Sequence, residues 1–343
     1  MIHYLCTRAH PYPIQGYLET WRRDFRERVS IEFYEDLPYR RSTSGGTYIF
    51  SDIERLTDEQ RGLAQSFWEQ VKQRGNRVLN EPSRVLRRYD LLKLFSEKGI
   101  NRFHAYWMNQ PHNGLHFPVF IREENEHTGS LTALLKDEAE LSKAMREMLV
   151  SGRDARNLLI VEFCDTSDST GTFRKYSAMR IGEAMIPRHV LFSGDWVNKA
   201  PGAEIDPRMV GEETQYQTQN PHEAELHRIF EMAHIDYGRI DYSMLDGRIT
   251  VWEINTNPVL MSLPEKCAYE RLPGQARSAQ RMYEALKAID GEGKPMPVRF
   301  PRALLKQLGA SATRQAAAAV GRQIKRLKNV GWLRESVQRL KRL

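Results

Sequence analysis

Apolar positions along the chain recur with two periods, near two and near 3.6, and the switches between them outline the elements. A short apolar run at Tyr48-Ile49-Phe50 precedes a helical stretch over 57–73. Thr57-Asp58-Glu59-Gln60 opens that helix as a capping box, Gly75 closes it, and Arg77-Val78-Leu79-Asn80 reads as the next strand. Strand, helix and strand at this spacing form a βαβ unit with a parallel pair. Residues 1–46, dense in aromatics and arginine, yield only a strand at 30–34. Beyond Pro82 the pattern predicts a helix over 83–98, a strand over 117–122, a polar loop over 123–130 and an amphipathic helix over 131–149. A strongly apolar strand over 157–163 follows, then an antiparallel pair within 173–190 turning at Gly182-Glu183. Residues 198–220 have few apolar anchors and read as loop. A helix over 221–233, strands over 239–244 and 249–254 joined at Asp246-Gly247, and a helix over 276–289 complete the body. Residues 291–301 are rich in Gly and Pro and read as a linker to a helical tail. The expected fold class is α+β: a small α/β unit over 1–82, a larger α+β part over 83–295 and a tail over 296–343.

Composition changes this picture little; charge changes it more. The 343 residues are 41% hydrophobic and 28% charged, an ordinary globular balance. No apolar run reaches membrane-spanning length, and residues 1–10 lack the apolar core of a secretory signal. Three distant cysteines (Cys6, Cys164, Cys267) fit a reducing compartment, so a cytoplasmic location is expected. The net charge of +7 divides unevenly. Residues 301–343 hold 11 of the 51 bases and one of the 44 acids, which makes the tail +10 and the body −3. The body is therefore no nucleic-acid binder on charge. The tail spaces apolar residues among bases, as in Leu304, Leu308, Ile324 and Trp332. Such a helix either docks on an anionic membrane surface or acidic partner, which would make the protein peripheral to the inner membrane surface, or packs on the body.

The chemistry concentrates in Gly238-Arg239-Ile240-Asp241-Tyr242 and Val251-Trp252-Glu253-Ile254-Asn255-Thr256-Asn257-Pro258. With a period of two, Arg239, Asp241 and Ser243 share one face, as do Val251, Glu253 and Asn255; Tyr242, Trp252 and Ile254 take the other. Two carboxylates and an amide oxygen suit Mg²⁺, with Mn²⁺ as an alternative. The competing reading is the exposed polar face of a hairpin. A three-residue loop at Leu245-Asp246-Gly247 would bring Arg239 opposite Glu253, with Asp241 diagonal to it. On this reading the acids form an exposed, self-repelling cluster, so Glu253→Gln should leave the fold intact.

The same run resembles the signature of the ATP-grasp superfamily, in carboxylate–amine ligases of the D-alanine–D-alanine ligase and ribosomal-protein-glutamate-ligase kind. The resemblance implies two α+β lobes clamping ATP behind a small α/β domain. It implies Asp241, Glu253 and Asn255 as ligands of the Mg²⁺ of ATP, and Arg239 as the contact to the acyl-phosphate or tetrahedral species. Pro118-Val119-Phe120-Ile121-Arg122 resembles the strand whose cation touches the phosphates, making Arg122 that cation. Glu162, Phe163 and Cys164 match the adenine hinge, with Asp165 or Asp168 for the ribose. Lys175, Arg188 and Lys199 match further cations for triphosphate and substrate, and Lys93, or Arg87 or Arg88, the first phosphate-contacting base. His127 in the loop over 123–130 either contacts a phosphate or is a plain loop histidine. The implied function is an ADP-forming ligase joining a carboxylate to an amine. The alternatives are a small-molecule kinase, or a nucleotide-binding assembly or membrane-surface factor acting through the tail.

Overall fold

The capping box forms as the sequence predicts. Thr57 Oγ1 accepts from the Gln60 N–H at 3.2 Å, and Gln60 Oε1 accepts from the Thr57 N–H at 3.0 Å. These bonds belong to a computed structural model, which describes residues 1–112, 114–127, 129–197 and 206–309. Strands β1 (Ile2–Cys6), β2 (Val29–Phe33), β3 (Ser42–Gly45), β4 (Thr47–Phe50) and β5 (Arg77–Leu79) accompany helices α1 (Tyr12–Thr20) and α2 (Asp58–Gln73). Four of the strands make a parallel sheet in the order β2-β1-β4-β5, as the βαβ spacing predicts. β1, invisible in the pattern, is one of its two inner strands, and all five of its residues are buried.

The middle of the chain supplies α3 (Arg88–Glu97), β6 (Ala105–Trp107), β7 (Val119–Glu123), α4 (Glu138–Val150) and β8 (Leu158–Glu162). β6, β8 and β7 form an antiparallel sheet in that order, with its own core of Val119, Ile121, Leu141, Leu158 and Ile160. The helix predicted from residue 131 starts at Glu138 instead. Leu131 and Leu135 bond the backbone of β7, and Asp137 caps α4 by accepting from the Glu140 N–H at 2.9 Å.

The third part contains β9 (Phe173–Ile181), β10 (Ala184–Ser193), α5 (Pro207–Gln219), α6 (Glu223–Ala233), β11 (Tyr237–Leu245), β12 (Arg248–Asn255), α7 (Leu272–Ile289) and β13 (Gly293–Pro297). Its antiparallel sheet runs β10-β9-β11-β12. α5 occupies most of the segment read as loop; residues 198–205 lie outside the described residues. The sheet's apolar face, with Ile240, Tyr242 and Ile249, joins Tyr48, Phe50 and Phe67 of the N-terminal unit in one core.

The segment read as a linker is also structured. β13 pairs antiparallel with β3, and a Cβ added at Gly45 would meet the Gly293 carbonyl carbon at 1.8 Å. The glycines there permit backbone contact rather than free motion. Residues 302–309 are helical, and Leu304, Leu305 and Leu308 pack against the shared core. The tail reading over 310–343 lies outside the described residues. Among the described residues no helix is long and apolar enough to cross a membrane.

Candidate functional site

Two strand irregularities build the site, and neither is legible from a period of two. The β11–β12 hairpin turns through two residues, Asp246 (φ 50) and Gly247 (φ 73), with Leu245 paired to Arg248. That corrects the expected three-residue loop. Positive φ at both positions matches the type I′ turn that Asp-Gly favours. Left regular, this register would set Asp241 opposite Trp252. A bulge at Trp252 shifts it, so that Tyr242 pairs with Val251 and Asp241 sits directly opposite Glu253. Val251 therefore joins the core and Trp252 turns to the cavity, the reverse of the alternation. A second bulge on β10, between Pro187 and His189, lets Arg188 and His189 both face the cavity.

The cavity holds about 860 Å³ between the four-stranded and three-stranded sheets. Asp241 and Glu253 line it from one face, with Arg122 and Lys175 nearby. Phe120, Phe163, Trp196 and Trp252 give it an aromatic end. Trp196 packs on Phe120 with ring centroids 5.0 Å apart, and Trp252 stacks on Phe103 at 5.4 Å.

Glu253 is caged rather than exposed. Its Oε2 accepts from Arg88 Nη2 and Arg122 Nη2, both at 2.8 Å, and His127 Nδ1 lies 3.5 Å from Oε1. Burial raises its pKa, but Arg88, His127 and Arg122 together hold it well below the usual carboxylate range. Arg122 is itself pulled down to about 10 by burial and the neighbouring Arg88, and stays charged at neutral pH. Asp241 Oδ1 accepts from Ser177 Oγ and Arg239 Nε, each at 3.0 Å, while Oδ2 faces Lys175 Nζ at 3.5 Å.

His127 is more than a plain loop histidine. Its Nε2 lies 3.0 Å from Glu54 Oε1, so the loop over 123–130 is tied both to Glu253 and to the N-terminal unit. Burial opposes its protonation, but Glu253 and Glu54 outweigh it and raise its pKa. Glu54, which also accepts from the Thr256 N–H at 3.2 Å, is held down at about 2 because His127 and Thr256 outweigh its burial. Nothing in the sequence marks Glu54, since its partners His127 and Thr256 come from two distant segments.

Of the residues singled out from sequence, Arg122, Phe163, Cys164, Lys175, Arg188, Arg239, Asp241 and Glu253 meet at this cavity. Others do not. The Glu162 carboxylate ties the chain together, accepting from the His104 N–H at 2.8 Å and the His116 N–H at 2.9 Å. Asp165 and Asp168 brace their own loop by accepting from the N–H groups of Ser167 and Thr170. Lys93 is exposed on α3, 4.0 Å from Glu97; Arg88, five residues earlier, reaches Glu253 instead. Asn255 is buried and does not line the cavity; its Oδ1 accepts from the Asn257 N–H at 2.7 Å at the strand exit. The Phe163 N–H, expected from the resemblance to contact a base, is bonded to Pro118 O at 2.9 Å. Lys199 lies outside the described residues. Among the described residues no cluster of three or more His, Cys, Asp or Glu has metal-binding geometry.

No protein-family model matches the chain, and no curated protein matches its sequence. Solved structures do match. D-alanine–D-alanine ligase from Bacillus anthracis, complexed with ATP, is 11% identical with a TM-score of 0.46, covering 84% of this chain and 97% of its own. A RimK domain ATP-grasp protein from Sphaerobacter thermophilus is 13% identical with a TM-score of 0.47, covering 84% and 100%. The ATP-grasp ligase PsnB, complexed with a phosphomimetic variant of its minimal precursor, Mg and ADP, is 14% identical with a TM-score of 0.48, covering 84% and 96%. The chain itself has an α+β fold, with two antiparallel sheets facing across a cavity beside a small parallel α/β unit.

Proposed function

We propose that the chain is an ATP-dependent, ADP-forming ligase that activates a carboxylate and joins it to an amine. The observation that carries this reading is the pairing of Asp241 opposite Glu253 on the wall of a cavity that is cationic beside them and aromatic at one end. The donors that fit a hard divalent cation are Asp241 Oδ2, 3.5 Å from Lys175 Nζ, and Glu253 Oε1, 3.5 Å from His127 Nδ1, since Glu253 Oε2 is taken by Arg88 and Arg122. Asp241 and Glu253 would hold Mg²⁺, which when bound neutralises phosphate charge.

The chain's own residues supply positioning and fixed charge. Phe120, Phe163, Trp196 and Trp252 offer an apolar slot for a planar base. Arg122 and Lys175 line the cavity where phosphate oxygens would lie. The substrate carboxylate then takes the γ-phosphoryl group, releasing ADP. The amine displaces phosphate from the resulting acyl phosphate and forms the amide. Arg239, fixed by Nε to Asp241 and by Nη1 to the Val259 carbonyl, would offer its remaining donor to the developing oxyanion. His127, tied to Glu54 at 3.0 Å, lines the cavity beside Glu253.

A screen of carboxylate and amine mixtures for ADP release, followed by product mass, tests the reading. ADP release that needs both partners, with an amide product, is the expected result. ADP release with a phosphorylated hydroxyl product would make the protein a kinase instead.

A further inference from the structure

One end of the cavity carries more positive charge than the proposed chemistry uses. The four-stranded sheet sets a row across its width: Glu253 opposite Asp241, Asp241 opposite Ser177, and Ser177 opposite His189. At about 4.8 Å per strand, His189 on β10 lies about 14 Å across the sheet from Glu253 on β12. The hinge residue Cys164 packs in the same apolar cluster as Trp252 of β12, so the base end of the cavity is the β12 side. The β10 side is the far end.

Arg188 sits there as the bulged residue of β10, a device that re-aims a side chain at the cost of a ladder bond. It is 3% exposed, yet it lines the cavity. Its Nη1 donates to Gln275 Oε1 at 3.3 Å, and its Nε has no partner among the described residues. The neighbouring charges are already answered. Arg239 is held by Asp241 at 3.0 Å, and Arg271 is held bidentately by Glu213 at 2.5 and 2.7 Å. Burial and the nearby Arg239 pull Arg188 down to about 10, so it remains a buried cation at neutral pH. His189 reports the same field: burial, Arg188, Arg239 and Lys175 push its pKa well below the usual range. The nearest carboxylate, Glu213, favours the charged form of Arg188 but spends both oxygens on Arg271, so the guanidinium has no carboxylate of its own, a standing cost that a ligand anion would remove.

We propose that Arg188, backed by Gln275 and flanked by Lys266 and Arg271, binds a second carboxylate on the substrate, so that the enzyme acts on a dicarboxylic acid. One carboxylate is activated at Arg239; the other, two strands away at Arg188, sets its register. This inference rests on the ligase reading.

The test is calorimetric titration of the Mg·AMP-PNP-loaded protein with diacids from malonate to adipate, each against the monoacid of equal carbon count. At least one diacid should bind about tenfold or more tightly than its monoacid, the scale of one charge-assisted bidentate contact. Arg188→Gln should erase that preference and Arg188→Lys should keep part of it, which separates lost charge from lost folding. Three results overturn the proposal: equal binding of monoacids and diacids by the wild type, an undiminished preference in Arg188→Gln, or a larger loss of Mg·AMP-PNP than of diacid binding in that variant. The last would assign Arg188 to the triphosphate. If Mg·AMP-PNP does not bind the wild type, the ligase reading fails separately. The same titration of the nucleotide-free protein then still reads the anion site, by the same preference and the same variants.

Discussion

Glu253→Gln should destabilise the nucleotide-free protein, contrary to the expectation from sequence that an acid removed from a repelling cluster costs nothing. The side chains of Arg88 and Arg122 are 4% and 12% exposed, and both donate to the same Glu253 oxygen at 2.8 Å. Removing one partner from a buried ion pair leaves charge uncompensated and costs on the order of 3–5 kcal/mol. Glutamine still accepts one hydrogen bond, and the Glu253 side chain is 15% exposed to the cavity, so the lower end, about 3 kcal/mol, is expected here. For a chain of this size that corresponds to a fall in Tm on the order of 5–10 °C. Asp241→Asn is the internal control. Its partners Arg239 and Lys175 are 18% and 25% exposed, so the loss should be about 1 kcal/mol. Differential scanning calorimetry in EDTA, without nucleotide, reads both variants. Replacing Arg88 as well should return part of the loss, because the two changes share one interaction. A Glu253→Gln variant that melts at or above the wild type would refute the cage.

Three further outcomes follow from the geometry. Glu54, held down at about 2 from its usual 4.5, adds stability that is complete above about pH 4.5 and is lost as pH falls towards 2. Urea unfolding should therefore show Glu54→Gln less stable than wild type by up to about 3 kcal/mol at pH 6, with the gap closing towards pH 2; a gap independent of pH would contradict the ion pair with His127. Gly45→Ala places a methyl group on the backbone of Gly293 and should lower Tm by several degrees, whereas the exposed Gly194→Ala, with open space around it, should not; equal effects would show that β3 and β13 do not pair. Truncation after residue 309 should preserve Mg·ATP affinity, whereas truncation after residue 300 should lower stability because it removes Leu304, Leu305 and Leu308 from the core. Vesicle sedimentation of the shorter tail deletion then tests anionic-surface binding by residues 310–343, and unchanged binding would sink that role.

The pattern of the chain revealed whatever rests on local rules. The capping box at Thr57, the βαβ order and the place of the turn at Asp246-Gly247, though not its two-residue length, all depend on neighbours in sequence. It hid what rests on distant partners. β1 lacks alternation because both its faces are covered, and its polar His3 is satisfied by Glu32 at 2.6 Å, 29 residues away. α5 buries Glu213, Tyr216 and Gln217 rather than leucines, so its helical stripe reads as polar; Asp206-Pro207, an N-cap followed by proline at N1, was the available signal. The carboxylate pair was legible as a shared face, but the bulges at Trp252 and Arg188 that finish the site have no signature of their own. The cage on Glu253 joins α3, β7 and the His127 loop, and only the fold brings them together.

Calorimetric titration of ATP into the wild type and Asp241→Asn, each with Mg²⁺ and with EDTA, tests the assignment of Asp241 and Glu253 most directly. The account predicts that Mg²⁺ tightens ATP binding to the wild type by about tenfold or more and that Asp241→Asn loses this increment. Equal ATP affinity with and without Mg²⁺, or an increment that survives in Asp241→Asn, would contradict it.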